Sequence, residues 1–134
     1  MKCLLDTHIV LWAITKSECL TKEMRSILED VKNTIYYSPV SVWEVAIKHK
    51  LHPEKMPVSE EDFVSYCSQI GFVELPICNA HIFAIKRLER RPGSPNHQDP
   101  FDRLLISQAK TEQLIFITHD TLLSDYNERC IVNV

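Results

Sequence analysis

Four acidic residues, Asp6, Glu44, Asp102 and Asp120, are spaced along the chain so that folding can bring their side chains together. Mg²⁺ prefers oxygen ligands and usually accepts only a few carboxylates, keeping its other positions for water and phosphate oxygens. Mn²⁺ accepts similar ligands. Four converging carboxylates could therefore hold such an ion, and a water activated by the metal would hydrolyse a phosphodiester. The chemistry expected of these residues is metal-dependent phosphodiester hydrolysis.

Each acid also has a structural explanation. Asp6 stands where the N-cap of the following helix belongs, and Asp120 can cap the short turn formed by residues 121–126. Glu44 is different, because the other residues of segment 42–46 are all apolar and a charge buried among them needs a partner. For Glu44 the functional explanation is therefore preferred.

Asp99 and Asp102 have the spacing of an N-cap and the third residue of a helix that begins at Pro100. We predict that Asp99 is a cap or supports the site indirectly, whereas Asp102 is a metal ligand. The spacing leaves a ligand role for Asp99 open.

Strand and helix patterns alternate along the chain, which predicts an α/β sandwich whose mainly parallel sheet is flanked by helices. In such sheets ligands bind beyond the carboxyl ends of the strands. Asp6 and Asp120 follow the first and fourth predicted strands, and Glu44 lies in the helix that follows the second. The predicted strands are 2–5, 34–37, 72–75, 114–118 and 131–134, and the helices begin near Thr7, Leu20, Pro39, Ser59, Asn79 and Pro100.

The composition fits one soluble domain spanning residues 1–134. Only 2 glycines are present, too few for a phosphate-binding glycine loop, so nucleotide cofactors are not expected. The 5 cysteines form no CxxC pair, which argues against a disulfide framework and fits a reducing cytoplasm. No segment approaches the roughly twenty apolar residues of a membrane span, so a membrane partner is not expected.

Four segments, LLDTHIVLW, SVWEVAIK, DPFDRLLISQA and ITHD, resemble in order the acidic blocks of the PIN-domain nucleases, and among them the VapC-type toxins of bacterial toxin–antitoxin pairs. The resemblance implies a doubly wound parallel sheet and RNA cleavage with Mg²⁺ or Mn²⁺. It implies metal ligands at Asp6, Glu44, Asp102 and Asp120, with Thr118 supporting the last acid. It also implies a homodimer held inactive by a small antitoxin protein.

RNA contacts are predicted for three arginines in the fifth predicted helix, residues 79–91, and for one beside Asp102, because basic groups bind backbone phosphates. These residues are Arg87, Arg90, Arg91 and Arg103. Lys48 and Lys50 are better explained as last-turn residues that complement a helix dipole. Trp12 and Trp43 lie among aliphatic residues and are expected in the core. The histidines lack the usual spacing of zinc ligands.

Two other functions are compatible with the sequence. A phosphoryl-transfer enzyme of the HAD or receiver type also uses an aspartate after its first strand, although HAD enzymes need a second aspartate where this chain has His8. Alternatively, the chain is a PIN-fold module that binds RNA or protein without cutting.

Overall fold

Five strands form one parallel sheet in the computed structural model, which describes all residues from 1 to 134. The order across the sheet is β3-β2-β1-β4-β5, and every pair of neighbours runs parallel. The mainly parallel sheet predicted from the sequence is confirmed. The strands are β1 (Lys2–Leu5), β2 (Thr34–Tyr37), β3 (Val73–Glu74), β4 (Ile115–Thr118) and β5 (Ile131–Asn133).

Six α-helices connect and cover the strands. They are α1 (Thr7–Thr15), α2 (Lys22–Glu29), α3 (Pro39–Leu51), α4 (Glu60–Gln69), α5 (Asn79–Ala84) and α6 (Pro100–Glu112). Two 3₁₀ segments, Ile85–Arg87 and Thr121–Asp125, follow α5 and β4. No helix combines the length and the apolar character needed to cross a bilayer, and all five cysteines are free thiols.

Side chains alternate between the two faces of the sheet and give the molecule two cores. Cys3 and Leu5 of β1 pack in the cluster that includes residues of α1, α2 and α4. Leu4 lies between them in sequence and packs in the second cluster, with residues of α6. Because successive strand residues point to opposite faces, helices must cover both sides. The expected three layers are confirmed.

Helix α3 begins directly after β2 and contributes to both cores. The Ser38 hydroxyl accepts a hydrogen bond from the Val40 N–H (3.1 Å), and Pro39 occupies the first helical position. Val40 then packs in one core and Val45 in the other. Residue 44 thus lies in the second turn of a helix that begins where β2 ends.

Trp43 is 59% exposed, so its predicted core position is wrong. The buried stripe of α3 consists of Val40, Ser41, Glu44 and Val45. On a helix with about 3.6 residues per turn, position 43 falls outside this stripe. Its indole instead meets the Phe101 ring edge-on, with centroids 5.0 Å apart. The half-buried Trp12 does pack against the first core, as predicted.

The predicted fifth helix is shorter than expected, because regular α-helix ends at Ala84 and the 3₁₀ segment at Arg87. Beyond it the backbone bonds to a distant segment: Asn127 donates to the Glu89 carbonyl (2.7 Å) and Arg91 to the Asp125 carbonyl (2.8 Å). Pro92 also disfavours helical geometry at residue 91. These tertiary bonds override a helical pattern that was clear in the sequence.

Candidate active site

Asp6 and Asp120 meet where β1 and β4 end side by side. The Asp6 N–H donates to the Ile117 carbonyl (2.9 Å), which extends the pairing of the two strands. The Thr118 hydroxyl donates to Asp6 Oδ2 (2.6 Å) and accepts from the Asp120 N–H (3.1 Å). One hydroxyl therefore fixes the positions of two acids that are far apart in sequence.

The two strand-end acids differ in how their side chains are used. Asp6 occupies the N-cap position of α1, yet its carboxylate makes no capping hydrogen bond. Asp120 does cap the following 3₁₀ segment, through Oδ1 and the Leu122 N–H (2.9 Å), while Oδ2 makes no hydrogen bond. Both carboxylates thus keep an oxygen available to a ligand, since Asp6 engages only its Oδ2 in the contact with Thr118.

Glu44 is buried and paired with a cation. Its Oε2 lies 2.7 Å from Lys48 Nζ, one helical turn along α3. The Thr7 and Ser41 hydroxyls are 2.8 Å apart and join the first turn of α1 to α3. Lys48, for which the sequence predicts only an interaction with the helix dipole, therefore supplies part of the partner that the buried charge requires.

Asp102 lies in the first turn of α6, three residues after Asp99, the N-cap that the spacing predicts. Asp99 Oδ1 accepts hydrogen bonds from the N–H groups of Phe101 (2.9 Å) and Asp102 (3.2 Å). The expectation that Asp99 caps this helix is confirmed. Asp99 is exposed, whereas the Asp102 carboxylate is mostly shielded.

The four acids share one electrostatic environment. Burial, followed by the nearby carboxylates of Asp6, Asp99, Glu44 and Asp120 in that order, raises the pKa of Asp102 to about 8. Burial also raises the pKa of Asp6, with a smaller contribution from Glu44, while the Thr118 hydrogen bond lowers it. A carboxylate feels like-charged neighbours in this way only when they are close. Asp6, Glu44 and Asp120 therefore lie close enough to raise the pKa of Asp102, and of the four acids Asp6 and Asp120 line a common cleft.

His97 is part of the site and was overlooked in the sequence. Its Nε2 lies 3.2 Å from Asp102 Oδ2, and its Nδ1 lies 2.8 Å from the Tyr126 hydroxyl. Burial, followed by the charge of Arg90, lowers the pKa of His97. We assign the proton to Nε2, which donates to Asp102, while the Tyr126 O–H donates to Nδ1. The only hint in the sequence was the position of His97 just before the capped helix.

The predicted RNA-binding arginines divide into two groups. Arg90 stacks over the Tyr126 ring at 4.6 Å and donates to the Pro95 carbonyl. Arg103 donates to the Tyr126 hydroxyl (3.3 Å) and to the Ile85 carbonyl (3.4 Å). These two guanidinium groups hold the loop that carries His97. Arg87 and Arg91 are exposed, and RNA contact by all four remains a prediction.

An open cleft of about 270 Å³ lies above the two strand-end acids. It is lined by Asp6, His8, Trp12, His119 and Asp120. A larger cleft of about 430 Å³ lies between α1, α2 and Phe72, but it contains only one acid, Glu29. Size alone would point to the larger cleft, whereas convergent carboxylates are found in the smaller one.

A second group of possible metal ligands lies between α5 and α6. Donor atoms of Cys78, His81 and Glu112 lie within 4.8 Å of one another. Both ring nitrogens of His81 are already engaged, Nδ1 by the Cys78 N–H (3.1 Å) and Nε2 by Glu112 (2.7 Å). Glu112 is ten residues beyond Asp102 on the same helix, or about 15 Å along its axis. This cluster is explained by helix packing.

Comparisons with known proteins give the same fold. A chain of the VapBC2 structure from Rickettsia felis, bound to a DNA fragment from its promoter, has a TM-score of 0.69 at 16% identity, with 99% of this chain and 98% of that chain covered. A chain of DNA-bound VapBC from Salmonella typhimurium has a TM-score of 0.65 at 17% identity, with the same coverage. A toxin–antitoxin complex from Klebsiella pneumoniae has a TM-score of 0.60 at 17% identity, covering 98% of this chain and 96% of that one.

No curated protein sequence matches the chain. The PIN domain family model matches residues 3–128, which include all four acids and the strands that position them. This chain therefore belongs to the PIN domain family.

Proposed function

We propose that the chain is a Mg²⁺- or Mn²⁺-dependent endoribonuclease that hydrolyses RNA phosphodiester bonds. The observation that carries the proposal is the convergence of Asp6, Glu44, Asp102 and Asp120 from four separate elements into one environment. Membership of the PIN family supports the same chemistry. The receiver-type alternative for Asp6 has no comparable support.

The donor set fits a hard divalent cation. All four side chains offer carboxylate oxygens, which suit Mg²⁺ and Mn²⁺ better than softer metals. Burial, and after it repulsion from the neighbouring carboxylates, raises the pKa of Asp102, and a bound dication would relieve the repulsion. The ion would supply a water nucleophile at neutral pH and neutralise charge that develops on the phosphoryl oxygens.

The protein groups would act by positioning. Thr118 holds the Asp6 carboxylate and the Asp120 backbone, so two ligands keep their spacing when a metal binds or leaves. His97 fixes the orientation of the Asp102 carboxylate through its contact with Oδ2. Such supporting hydrogen bonds orient metal ligands and affect metal affinity strongly.

We further propose that the chain is the toxin of a toxin–antitoxin pair, acts as a homodimer in the cytoplasm and binds a cognate antitoxin. The support is the similarity in fold to chains of VapBC and other toxin–antitoxin complexes. Co-expression of the chain with the product of a short adjacent gene, followed by co-purification, tests the partnership.

Cleavage of a 5′-labelled single-stranded RNA with Mg²⁺, with Mn²⁺ and with EDTA tests the ribonuclease proposal. We expect metal-dependent cutting that Asp6→Asn reduces by about a hundredfold or more. Asp30→Asn is the matched control, because Asp30 precedes β2 at the opposite end of the sheet. Binding without turnover under either ion would favour the non-cleaving module instead, and equal cutting by Asp6→Asn would refute the site.

A further inference from the structure

A second cleft, rich in basic residues, lies next to the acidic one. It measures about 270 Å³ and is lined by His8, Lys48, His52, Lys55 and Met56. We call it the basic groove. Four of its five lining residues carry, or can carry, a positive charge, although the chain as a whole has a formal net charge of −3. Lys48 is paired with Glu44, and the His52 ring lies 3.7 Å from the Glu54 carboxylate, so Lys55 carries the unpaired charge of the groove.

The basic groove joins the candidate active site at two points. His8 lines both clefts, so the two are continuous across the first turn of α1. Lys48 also pairs with Glu44, one of the four acids, at 2.7 Å. A polymer whose scissile phosphate lies over the acids therefore passes His8 and Lys48 if its strand continues in this direction.

The groove is held in shape by hydrogen bonds before any ligand arrives. The turn after α3 folds back on the helix because the N–H groups of Lys55 and Met56 both donate to the His52 carbonyl (3.0 and 2.9 Å). The His49 ring is hydrogen bonded to the Met56 carbonyl (2.7 Å). Lys55 is exposed and forms no ion pair within the chain. Its charge is therefore available to a partner.

We propose that the basic groove binds backbone phosphates of the RNA strand next to the scissile phosphate. The inference rests on the ribonuclease function proposed above. It places the RNA strand on the side of the acids where His8 and Lys48 lie. Basic groups that contact phosphates contribute affinity without base specificity, and each contact adds to the salt dependence of binding. An acidic protein segment would use the same charges, and the test separates the two.

Lys55→Gln is the diagnostic variant, because Lys48 also contacts Glu44 and its replacement would disturb the acids. Binding of a fluorescein-labelled single-stranded RNA is measured by anisotropy across a salt series, in an Asp6→Asn background that leaves the RNA intact. We expect Lys55→Gln to raise Kd severalfold at low salt and to reduce the slope of log K against log salt by about 0.7 for one lost phosphate contact. Lys55→Arg should restore both values.

A control variant and a kinetic measurement make the result specific. Lys32→Gln removes one exposed positive charge just before β2, at the amino end of the strand and therefore opposite to the acids. It should change neither Kd nor the slope of log K against log salt. With all four acids intact, Lys55→Gln should raise KM while kcat at saturating RNA stays within about twofold of the parent, as expected for a contact made equally in the ground and transition states.

The outcomes distinguish this proposal from the function on which it rests. If the parent cuts RNA but Lys55→Gln leaves Kd, slope and KM unchanged, or matches Lys32→Gln, the basic groove is not the RNA path. If Lys55→Gln weakens only the binding of a co-purified protein partner, the groove belongs to that partner. If the parent neither binds nor cuts RNA, both proposals are wrong.

Discussion

The Thr118 hydroxyl lies 2.6 Å from Asp6 Oδ2, although 112 positions separate the two residues in sequence. The contact forms because β1 and β4 are parallel neighbours, with Leu5 opposite Ile117, so that the residues that follow them end at the same edge. The same hydroxyl accepts the Asp120 N–H. One side chain therefore holds the geometry between two of the four acids.

Thr118→Val should impair the proposed activity while Thr118→Ser preserves it. Valine keeps the shape of the side chain but removes a hydrogen bond that lowers the pKa of Asp6. The pKa of Asp6 should therefore rise, and the pH profile of the activity should shift to higher pH. The pH dependence of RNA cleavage under Mn²⁺ measures the shift. Identical profiles for the valine and serine variants would show that the hydroxyl does not tune Asp6.

The metal-free protein should become less stable as pH rises, because of Asp102. Its pKa is raised from 3.8 to about 8 by burial and by neighbouring carboxylates. Between these values the folded protein retains a proton that the unfolded chain has lost, so the free energy of unfolding falls with pH.

Asp102→Asn mimics the protonated form of Asp102 at every pH. The variant should therefore not lose stability between pH 4 and pH 8 as the parent does. In EDTA we expect it to exceed the parent in stability at pH 8 by about 2 kcal/mol or more, with a much smaller difference at pH 4, since one pKa unit corresponds to about 1.4 kcal/mol. Urea unfolding at both pH values measures the effect. Mg²⁺ should reduce the difference by stabilising the parent, and an unchanged difference would argue against metal binding at Asp102.

The course of the chain was largely predictable because local patterns and tertiary contacts agree. The Ser38-Pro39 pair and the Asp99-Pro100 pair each begin a helix where expected, and Gly71 has the left-handed backbone (φ 86°) expected of a residue that ends α4. The helix predicted over residues 79–91 does not continue to residue 91, because the backbone of its second half forms hydrogen bonds with segment 125–127 instead. Such long-range contacts leave no periodic signal in the sequence.

The positions of Asp6, Asp102 and Asp120 were predictable for a similar reason, since each follows a strand or lies in the first turn of a helix, whereas Glu44 lies in the second turn of α3. The supporting residues were not. His97 lies in a loop without periodicity, and its contact with Asp102 depends on Tyr126, 29 residues further along the chain. Trp43 was misplaced because apolar neighbours suggested burial, whereas the stripe of α3 that faces inward includes Glu44 instead.

His97→Ala and Tyr126→Phe should both weaken metal binding without removing a metal ligand. Tyr126→Phe keeps the ring under Arg90 but removes the hydroxyl that orients His97. Loss of a hydrogen bond to a metal-ligating side chain typically lowers metal affinity by about 10- to 100-fold. Mn²⁺ titration by calorimetry tests this effect.

Tyr66→Phe is the control for Tyr126→Phe, because Tyr66 is an exposed tyrosine on α4, in a helix that carries none of the four acids. Unaltered Mn²⁺ affinity in both His97→Ala and Tyr126→Phe would mean that the network only anchors the loop that carries His97.

Asp99→Asn separates the two roles left open for this residue by its spacing. As an N-cap, asparagine accepts the same hydrogen bonds from Phe101 and Asp102, so the stability of the fold should be retained, whereas Asp99→Ala should cost about 1 kcal/mol. Asp99→Asn also removes a charge that raises the pKa of Asp102, so metal should bind at somewhat lower pH. If Asp99 were instead a metal ligand, Asp99→Asn would lose Mn²⁺ affinity and cleavage as severely as Asp102→Asn does. Calorimetric Mn²⁺ affinity, compared among these variants at one pH, decides whether Asp99 is a metal ligand in addition to being a helix cap.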